Sequence, residues 1–594
     1  MQKRLVAGQI KPDKILRTVC SPNCTGSCGI NAHVKDGKLL KIEPAEMPDP
    51  RYNRICLRGI AMAMQRVEHP QRIRYPMLRK GERGGGDWQR LSWDDAFDYL
   101  AEKLTKIADE YGPEANSWIS MTGNYGIQSM MISSRIANSL GGTAFTNLGI
   151  MGDLGANMGY LATVGVHQEA NEWPDVVGSK FIMMFGKNIA DTAHSDMHFL
   201  FDAIDKGARV VSVDPRFSRT SAKADQWVAI RPGTDAAMVL AMMQVVIEKD
   251  LHDKDYIRRH TNATYLVRED NEQLLRYVDI DSSASEDYVV LDGNSELPVA
   301  ATTTINSELD WRGEIQLAGG SKLSCRTGFN VMVEACREYT PEKAEAICEV
   351  PASVIRELAI EYATTDPASI WVGQGTQRYH NGHQAYRALI SLAAITGNIG
   401  KRHTGVNWGG GSLLRFILAT PESWLCPNGK TGRMYPGTRI HDIIEKSDPY
   451  PVKSLWAHNY GIGTQAPRRN HFIKDVLPEL DLFTVSELVM TEGARYADIV
   501  LPVTSYYEED ADLIASWNNM YVQLRTPVID KVGESKVDWE IFKGVAERMG
   551  AGDDWKMTPM ESCEHLIKNS ADPIFSNIDW EELKREGIVK AAIN

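Results

Sequence analysis

Short, unbroken apolar runs alternate with longer amphipathic stretches along most of the chain. Lys180–Phe185 reads KFIMMF and Ala208–Val213 reads ARVVSV; Gln226–Ile230 (QWVAI), Ser369–Val372 (SIWV), Leu482–Ser486 and Ile499–Leu501 follow the same pattern. Runs of this length, apolar at nearly every position, suit strands covered on both faces, and their alternation with helices predicts α/β architecture with mainly parallel sheets. The early runs end in Gly, Asn, Asp or Thr: Gly186-Lys187-Asn188, Asp214-Pro215-Arg216, Gly233-Thr234-Asp235 and Gly373-Gln374-Gly375-Thr376. In open α/β sheets ligands bind beyond such carboxyl ends. Thr234 is placed to cap a long apolar helix running to about Lys249. Residues 270–320, polar and mixed, predict an insertion or irregular loops, and Gly84-Gly85-Gly86 predicts a surface turn.

Size and charge narrow the picture. At 594 residues the chain exceeds a single core and predicts roughly three to five domains. A net charge of −13 leaves no surplus of cations to neutralise phosphates, which disfavours nucleic acid as a partner. No run of about 18 apolar residues predicts a membrane span. The first residues, MQKRLVAGQIKPDKILRT, lack an apolar signal core and a twin-arginine pair. The sequence as given is therefore expected in the cytoplasm; a mis-assigned start would leave a periplasmic or membrane-associated complex open.

Four of the nine cysteines cluster near the start: Cys20, Cys24, Cys28 and Cys56. The odd total and the scatter of the other five argue against a disulfide framework. Three cysteines spaced C-x3-C-x3-C, with small turn-forming residues between them and a distant fourth, suit the wrapping of a cubane iron–sulfur cluster. Structural zinc, which favours two-residue gaps, and unliganded thiols are the alternatives.

The segments CSPNCTGSC, GKLLKIEP, CLRG, HPQRIRYPMLRKGERGGGDWQRLSWDDAFDYLAEKL and VVSVDPRFSRTSAKADQWVAIRPGTDAAM, followed by AAITGNIGKRHTGVNW and ARYADIVLP, resemble the dimethyl sulfoxide reductase family. These are molybdopterin oxidoreductases carrying two pterin guanine dinucleotides, and the resemblance runs from about residue 17 to about residue 590. It implies a [4Fe–4S] domain over 15–75, α/β bis-pterin-binding domains over 76–170 and 366–594, and an α/β pterin guanine dinucleotide-binding domain over 171–365. The implied cofactors are one [4Fe–4S] cluster on the four cysteines and a molybdenum or tungsten bis-pterin guanine dinucleotide group.

The same resemblance assigns residues. Arg58, two positions after Cys56, would lie between cluster and pterin. Gly186, Lys187 and Asn188 would approach one dinucleotide, and Asp214 and Arg216 would recognise a guanosine. Gly233, Thr234 and Asp235 would set a helix amino terminus beside phosphate or base. Gly373, Gly375 and Gln377 would form the matching loop of the second half, and Glu487, Thr491 and Asp498 a later contact segment. For these last three, caps and turn hydrogen bonds are the competing reading. His167, His380 and Asn124 are candidates to line a substrate funnel, against an ordinary structural role.

Relatives differ in the side chain that binds the metal. The corresponding region, Gly141–Asn157, holds no cysteine, and its carboxylate is Asp153. Asp153 is the expected metal ligand, with a helix N-cap as the alternative. An aspartate ligand resembles the branch of respiratory nitrate, selenate and chlorate reductases, while the C-x3-C-x3-C spacing resembles the dimethyl sulfoxide reductases. The C-terminal β-barrel domain usual in the family is not recognisable before Asn594. The expected function is that of a catalytic subunit coupling oxo or hydroxyl transfer at the metal to electron transfer through one cluster. An iron–sulfur subunit, with or without a membrane anchor subunit, is the expected partner. Non-redox or transhydroxylase chemistry at the same cofactor, or a fragment silent without a separate C-terminal domain, are the alternatives.

Overall fold

The structure is a computed structural model that describes residues 11–24, 26–67, 69–146, 154–167, 171–409 and 411–591. The chain divides into two compact units: 1–151 with 193–196 and 410–594, and 152–192 with 197–409. Among the described residues no helix is long and apolar enough to cross a membrane, and the strand orders of all six sheets are open.

The first unit begins with an antiparallel sheet of Lys14–Cys20, Cys28–Lys35 and Lys38–Pro44. Its main sheet has eight strands in the order 433–436, 143–146, 116–120, 454–458, 482–487, 499–502, 77–79 and 88–90. The first six are parallel; the last two are an antiparallel hairpin turned at Gly84 and Gly86, both at positive φ. Asn116–Ser120 and Ser454–His458 are buried at every position, as strands covered on both faces must be. A third sheet joins Asp512–Ala515, Tyr521–Arg525 and Ile588–Lys590, antiparallel. The helix Ile127–Leu140 anchors the C-terminal segment through Arg135. This fully buried guanidinium lies 5.0–5.1 Å from the rings of Trp424, Trp539 and Trp555, an aromatic cage that offsets part of its desolvation.

The second unit is built on a five-stranded, wholly parallel sheet in the order 226–228, 209–213, 181–185, 368–372, 406–407. Phe181–Phe185 and Ala368–Val372 are buried at every position. The helices Asp235–Glu248 and Gly382–Ile395 bury long apolar faces in the same unit. The strand order reverses between 181–185 and 368–372, which makes their carboxyl ends the topological switch point.

Residues 270–320 are more ordered than their composition suggests. Val289–Leu291 pairs with Pro298–Ala300, and Arg312–Gln316 pairs with Lys322–Thr327, which also pairs with Leu266–Arg268. Leu266, Leu275, Val289, Ile315, Leu323 and Cys325 form their small core. Strands of three to six residues separated by polar turns spread six core positions too thinly for a sequence pattern to reveal them.

Candidate functional site

The four N-terminal cysteines converge. Cys20 ends one strand and pairs across the sheet with Cys28, which opens the next. Cys56 immediately precedes the helix Leu57–Val67, with Arg58 half-buried in its first turn. All four are free thiols. Burial, then the charges of Cys28, Cys24 and Cys56, push the Cys20 thiol well up. Burial pushes Cys28 up to about 12. Thiolates there require compensating positive charge. The backbone N–H of Gly26 points at the Cys24 sulfur at 3.5 Å. A Cβ on Gly59 would stand 3.2 Å from the Cys20 sulfur, so the motif's glycine keeps room beside it. Among the described residues no three His, Cys, Asp or Glu side chains close around one ion. A lone zinc would draw its sulfurs to about 2.3 Å from one centre, whereas a cubane takes one cysteine at each iron. Four thiols brought together from two strands, the loop between them and a helix start, with an N–H aimed at Cys24 and room beside Cys20, fit a cubane.

Beneath the cysteines lies a buried ion pair that the sequence did not reveal. Arg54 donates from Nε to Asp196 at 3.1 Å, and Asn518 donates to the same carboxylate at 2.6 Å. Asp196 belongs to the four-residue stretch 193–196 that returns to the first unit.

In the second unit the carboxyl edge of the parallel sheet gathers Gly186, Lys187, Asn188, Asp214, Arg216, Gly233, Thr234, Asp235, Gly373, Gly375 and Gln377. Gly186 adopts a φ of +54°, and a Cβ on Gly373 would run into the Gly186 carbonyl oxygen. The two strand-end loops can meet only as glycines. Asp214 is half-buried, accepts from the Arg216 backbone N–H at 2.8 Å, and is shifted up by burial. Asp235 is buried in the first turn of its helix. Burial first, then the like charge of Asp214, raise it to about 6. Around these two carboxylates stand half-exposed rings: Phe217 and Trp227, 5.3 Å apart and edge to face, and Tyr379, against which a Cβ on Gly233 would press. Acceptors edged by aromatic faces suit a planar heterocycle bearing N–H donors. The rings were not singled out from sequence; their place just beyond strand ends was the available signal.

Several assigned side chains are already engaged. Thr234 occupies the N-cap position but makes no cap hydrogen bond; its hydroxyl donates to the Arg231 carbonyl at 2.6 Å. The expected cap is corrected to a turn contact. Asn188 donates to Asp191 at 2.8 Å and accepts from Thr220 at 2.9 Å, and its backbone carbonyl accepts from the Thr192 hydroxyl at 2.7 Å. Gln377 accepts from the Ala156 backbone N–H at 2.9 Å and donates to Gln374. Lys187 lies 5.1 Å from the Trp173 ring.

The first unit carries a cavity of about 470 Å³ at the carboxyl edge of the eight-stranded sheet, a volume suited to a cofactor-sized ligand. Asn124, Tyr460, Glu487, Thr491, Tyr506 and Asp538 are among its lining residues. Glu487 is held by the Leu488 N–H at 2.7 Å and raised by burial. Thr491 caps the short helix Glu492–Arg495. Asn124 donates to Glu509 at 2.6 Å and also accepts from Arg525. Arg525 in turn pairs with Glu509 at 2.6 Å and Asp512 at 3.4 Å. Asp498 stands apart, at the amino-terminal end of its strand, clamped by Arg79 and Arg83 and accepting from the Phe483 N–H at 2.7 Å. His167 and His380 are exposed in the second unit. Asn124 belongs to the first, so the three funnel candidates are not gathered in one unit. Asp153 lies outside the described residues.

Residues 72–548 match the molybdopterin oxidoreductase family and residues 13–69 its Fe4S4 domain. The chain belongs to the molybdopterin oxidoreductases. Within that family it is similar to dimethyl sulfoxide reductase DmsA of Escherichia coli strain K12, 30% identical over 97% of this chain and 69% of that one. It is also similar to the perchlorate reductase subunit alpha of Dechloromonas aromatica strain RCB, 29% identical over 90% of this chain and 65% of that one. It thus spans about two thirds of the length of these relatives. Among solved structures, acetylene hydratase from Pelobacter acetylenicus shares the fold, with a TM-score of 0.70 at 22% identity over 97% of this chain and 74% of that chain. A molybdopterin oxidoreductase with an Fe4S4 domain uses a [4Fe–4S] cluster and a molybdenum or tungsten pterin group. The convergent cysteines fit the former, and the Asp214 and Asp235 carboxylates at the strand ends fit the nucleotide portion of the latter.

Proposed function

We propose that this molybdopterin oxidoreductase is the catalytic subunit of an anaerobic bis-pterin enzyme that couples two-electron oxo or hydroxyl transfer to electron exchange through its cluster. The observation that carries the reading is that a cavity of about 470 Å³ opens at the carboxyl edge of the first unit's parallel sheet, beside the cysteines, while buried Asp235 and half-buried Asp214 mark the carboxyl edge of the second unit's sheet. Two sites suit two pterin guanine dinucleotides. When bound, the metal–pterin group supplies oxygen-atom transfer.

The chain's residues bind and orient. Asp214 and Asp235 accept N–H donors of a guanine, and the Gly186–Asn188 and Gly373–Gly375 loops bring backbone close to pyrophosphate. Glu487 and Thr491 perform the same service in the first unit. Arg58 stands in the first turn after Cys56, where its charge favours electron passage. Asp153 is the proposed metal ligand, because a carboxylate is a hard donor suited to a high-valent centre. An iron–sulfur subunit is the proposed electron partner.

A viologen-linked assay of the anaerobically purified chain with sulfoxide, N-oxide and oxyanion acceptors tests the reading. Turnover with at least one class, lost in Asp153→Ala while the iron content stays unchanged, is expected. Full turnover in Asp153→Ala would remove the ligand assignment.

A further inference from the structure

The Tyr506 hydroxyl is buried without a hydrogen-bond partner among the described residues, as is that of its neighbour Tyr507. Tyr506 follows the strand Ile499–Pro502 through a turn locked by Glu508. That carboxylate accepts from the Ser505 N–H at 2.8 Å and the Val532 N–H at 2.6 Å, and pairs with buried Arg72 at 3.0 Å. The side chain is therefore rigidly presented. It is 3% exposed and packs with Cys20, Cys28, Ala63 and Val67, its ring 4.4 Å from that of Tyr507. One side of it lines the 470 Å³ cavity. Its hydroxyl makes no hydrogen bond among the described residues; the polar groups beside it are the Cys20 sulfur and the Tyr507 hydroxyl. A buried hydroxyl without an acceptor is rare, because the lost hydration goes uncompensated.

We propose that Tyr506 donates its hydroxyl proton to the Cys20 sulfur of the bound cluster and so raises the cluster's reduction potential. The inference rests on the cluster assignment and adds a positioning residue to it. A hydrogen bond to a ligating thiolate draws off negative charge, and the reduced, more negative state gains most from it. The tyrosine's place between Cys20 and the cavity adds a consequence: the cluster's potential is set from the side on which the cavity's occupant lies.

The test uses the full chain, purified anaerobically, with an EPR-monitored redox titration and pulsed ENDOR in H2O and D2O. Tyr506→Phe should keep the iron and sulfide content and the cluster signal, but move the midpoint to lower potential. It should also lose one exchangeable proton coupling that the parent protein shows. Tyr507→Phe removes the neighbouring hydroxyl and should leave that coupling in place. An unchanged midpoint in Tyr506→Phe, or the absence of an exchangeable coupling in the parent, would overturn the proposal. A parent protein that assembles no cluster would overturn the cluster assignment itself, a result distinguishable from either.

Discussion

At the carboxyl edge of the five-stranded sheet, Asp235 is buried and the charge that reaches it is the like charge of Asp214. At the carboxyl edge of the eight-stranded sheet, Glu509 and Asp512 share buried Arg525, and Asn124 bridges Glu509 to the same guanidinium. Both edges concentrate acid, but at the first Arg216 offsets Asp214 and leaves buried Asp235 without a cation, whereas at the second Arg525 pairs directly with both carboxylates. A buried carboxylate without a cation is destabilising until a donor arrives, so Asp235 is poised to accept a ligand's hydrogens. The eight-stranded edge spends its arginine on holding a wall, and leaves Glu487 and Asp538 turned to the cavity. Similar sheet topology thus yields one edge poised to accept a ligand's hydrogens and another built first as scaffold.

Removing the cation from the scaffold should have the largest effect. Arg525→Met strands Glu509 and Asp512 in the interior and should cost about 3–5 kcal/mol of stability in urea unfolding at neutral pH. The loss should shrink toward pH 5, as carboxyls that lack a partner take up protons. A loss under about 1 kcal/mol would mean that the wall does not depend on that pair.

Asp538 gives a pH signature. Burial first, then Glu509 and Asp512, raise it to about 8, with Arg525 acting the other way. Its other neighbours are Glu487 and buried His458, whose ring nitrogen is 3.9 Å away and which burial lowers to about 3. The folded state therefore keeps a proton that the unfolded chain gives up near its ordinary value of about 4. Stability should fall as pH rises between about 4 and about 8, then level off. Asp538→Asn should flatten that slope in thermal unfolding, and an unchanged slope would assign it to other groups.

How much of this was visible beforehand depends on the scale of the signal. The strands at 181–185, 209–213, 368–372 and 482–487 are legible because burial on both faces favours runs that are mostly apolar. The cysteine set was legible because its spacing is local. Arg54 with Asp196, and Arg525 with Glu509, were not, since each pair joins residues whose separation carries no pattern. Thr234 shows the limit of local rules: residue type and position suit a cap, yet the hydroxyl finds the Arg231 carbonyl instead. The Phe217, Trp227 and Tyr379 rings became meaningful only when the sheet set them around two carboxylates.

Asp235→Asn separates the two kinds of edge. It removes a buried charge above pH 6 and should raise the thermal stability of the ligand-free chain slightly. It also replaces an acceptor with a mixed donor and acceptor, and should weaken guanine nucleotide retention by about 1–3 kcal/mol, or roughly 5- to 150-fold. Loss of stability without loss of nucleotide would reverse the assignment. The smallest effect is expected at Thr234→Ala, where no cap hydrogen bond exists to lose; the change should fall well below the roughly 1 kcal/mol typical of a capping threonine.

The central claim is two nucleotide sites and one cubane on a single chain. Acid release of guanine nucleotide, combined with iron, zinc and sulfide analysis of the anaerobically purified protein, tests it most directly. About two guanine nucleotides, four iron and four sulfide per chain and no stoichiometric zinc are expected. A single nucleotide per metal-replete chain, or zinc in place of iron at the four cysteines, would contradict it.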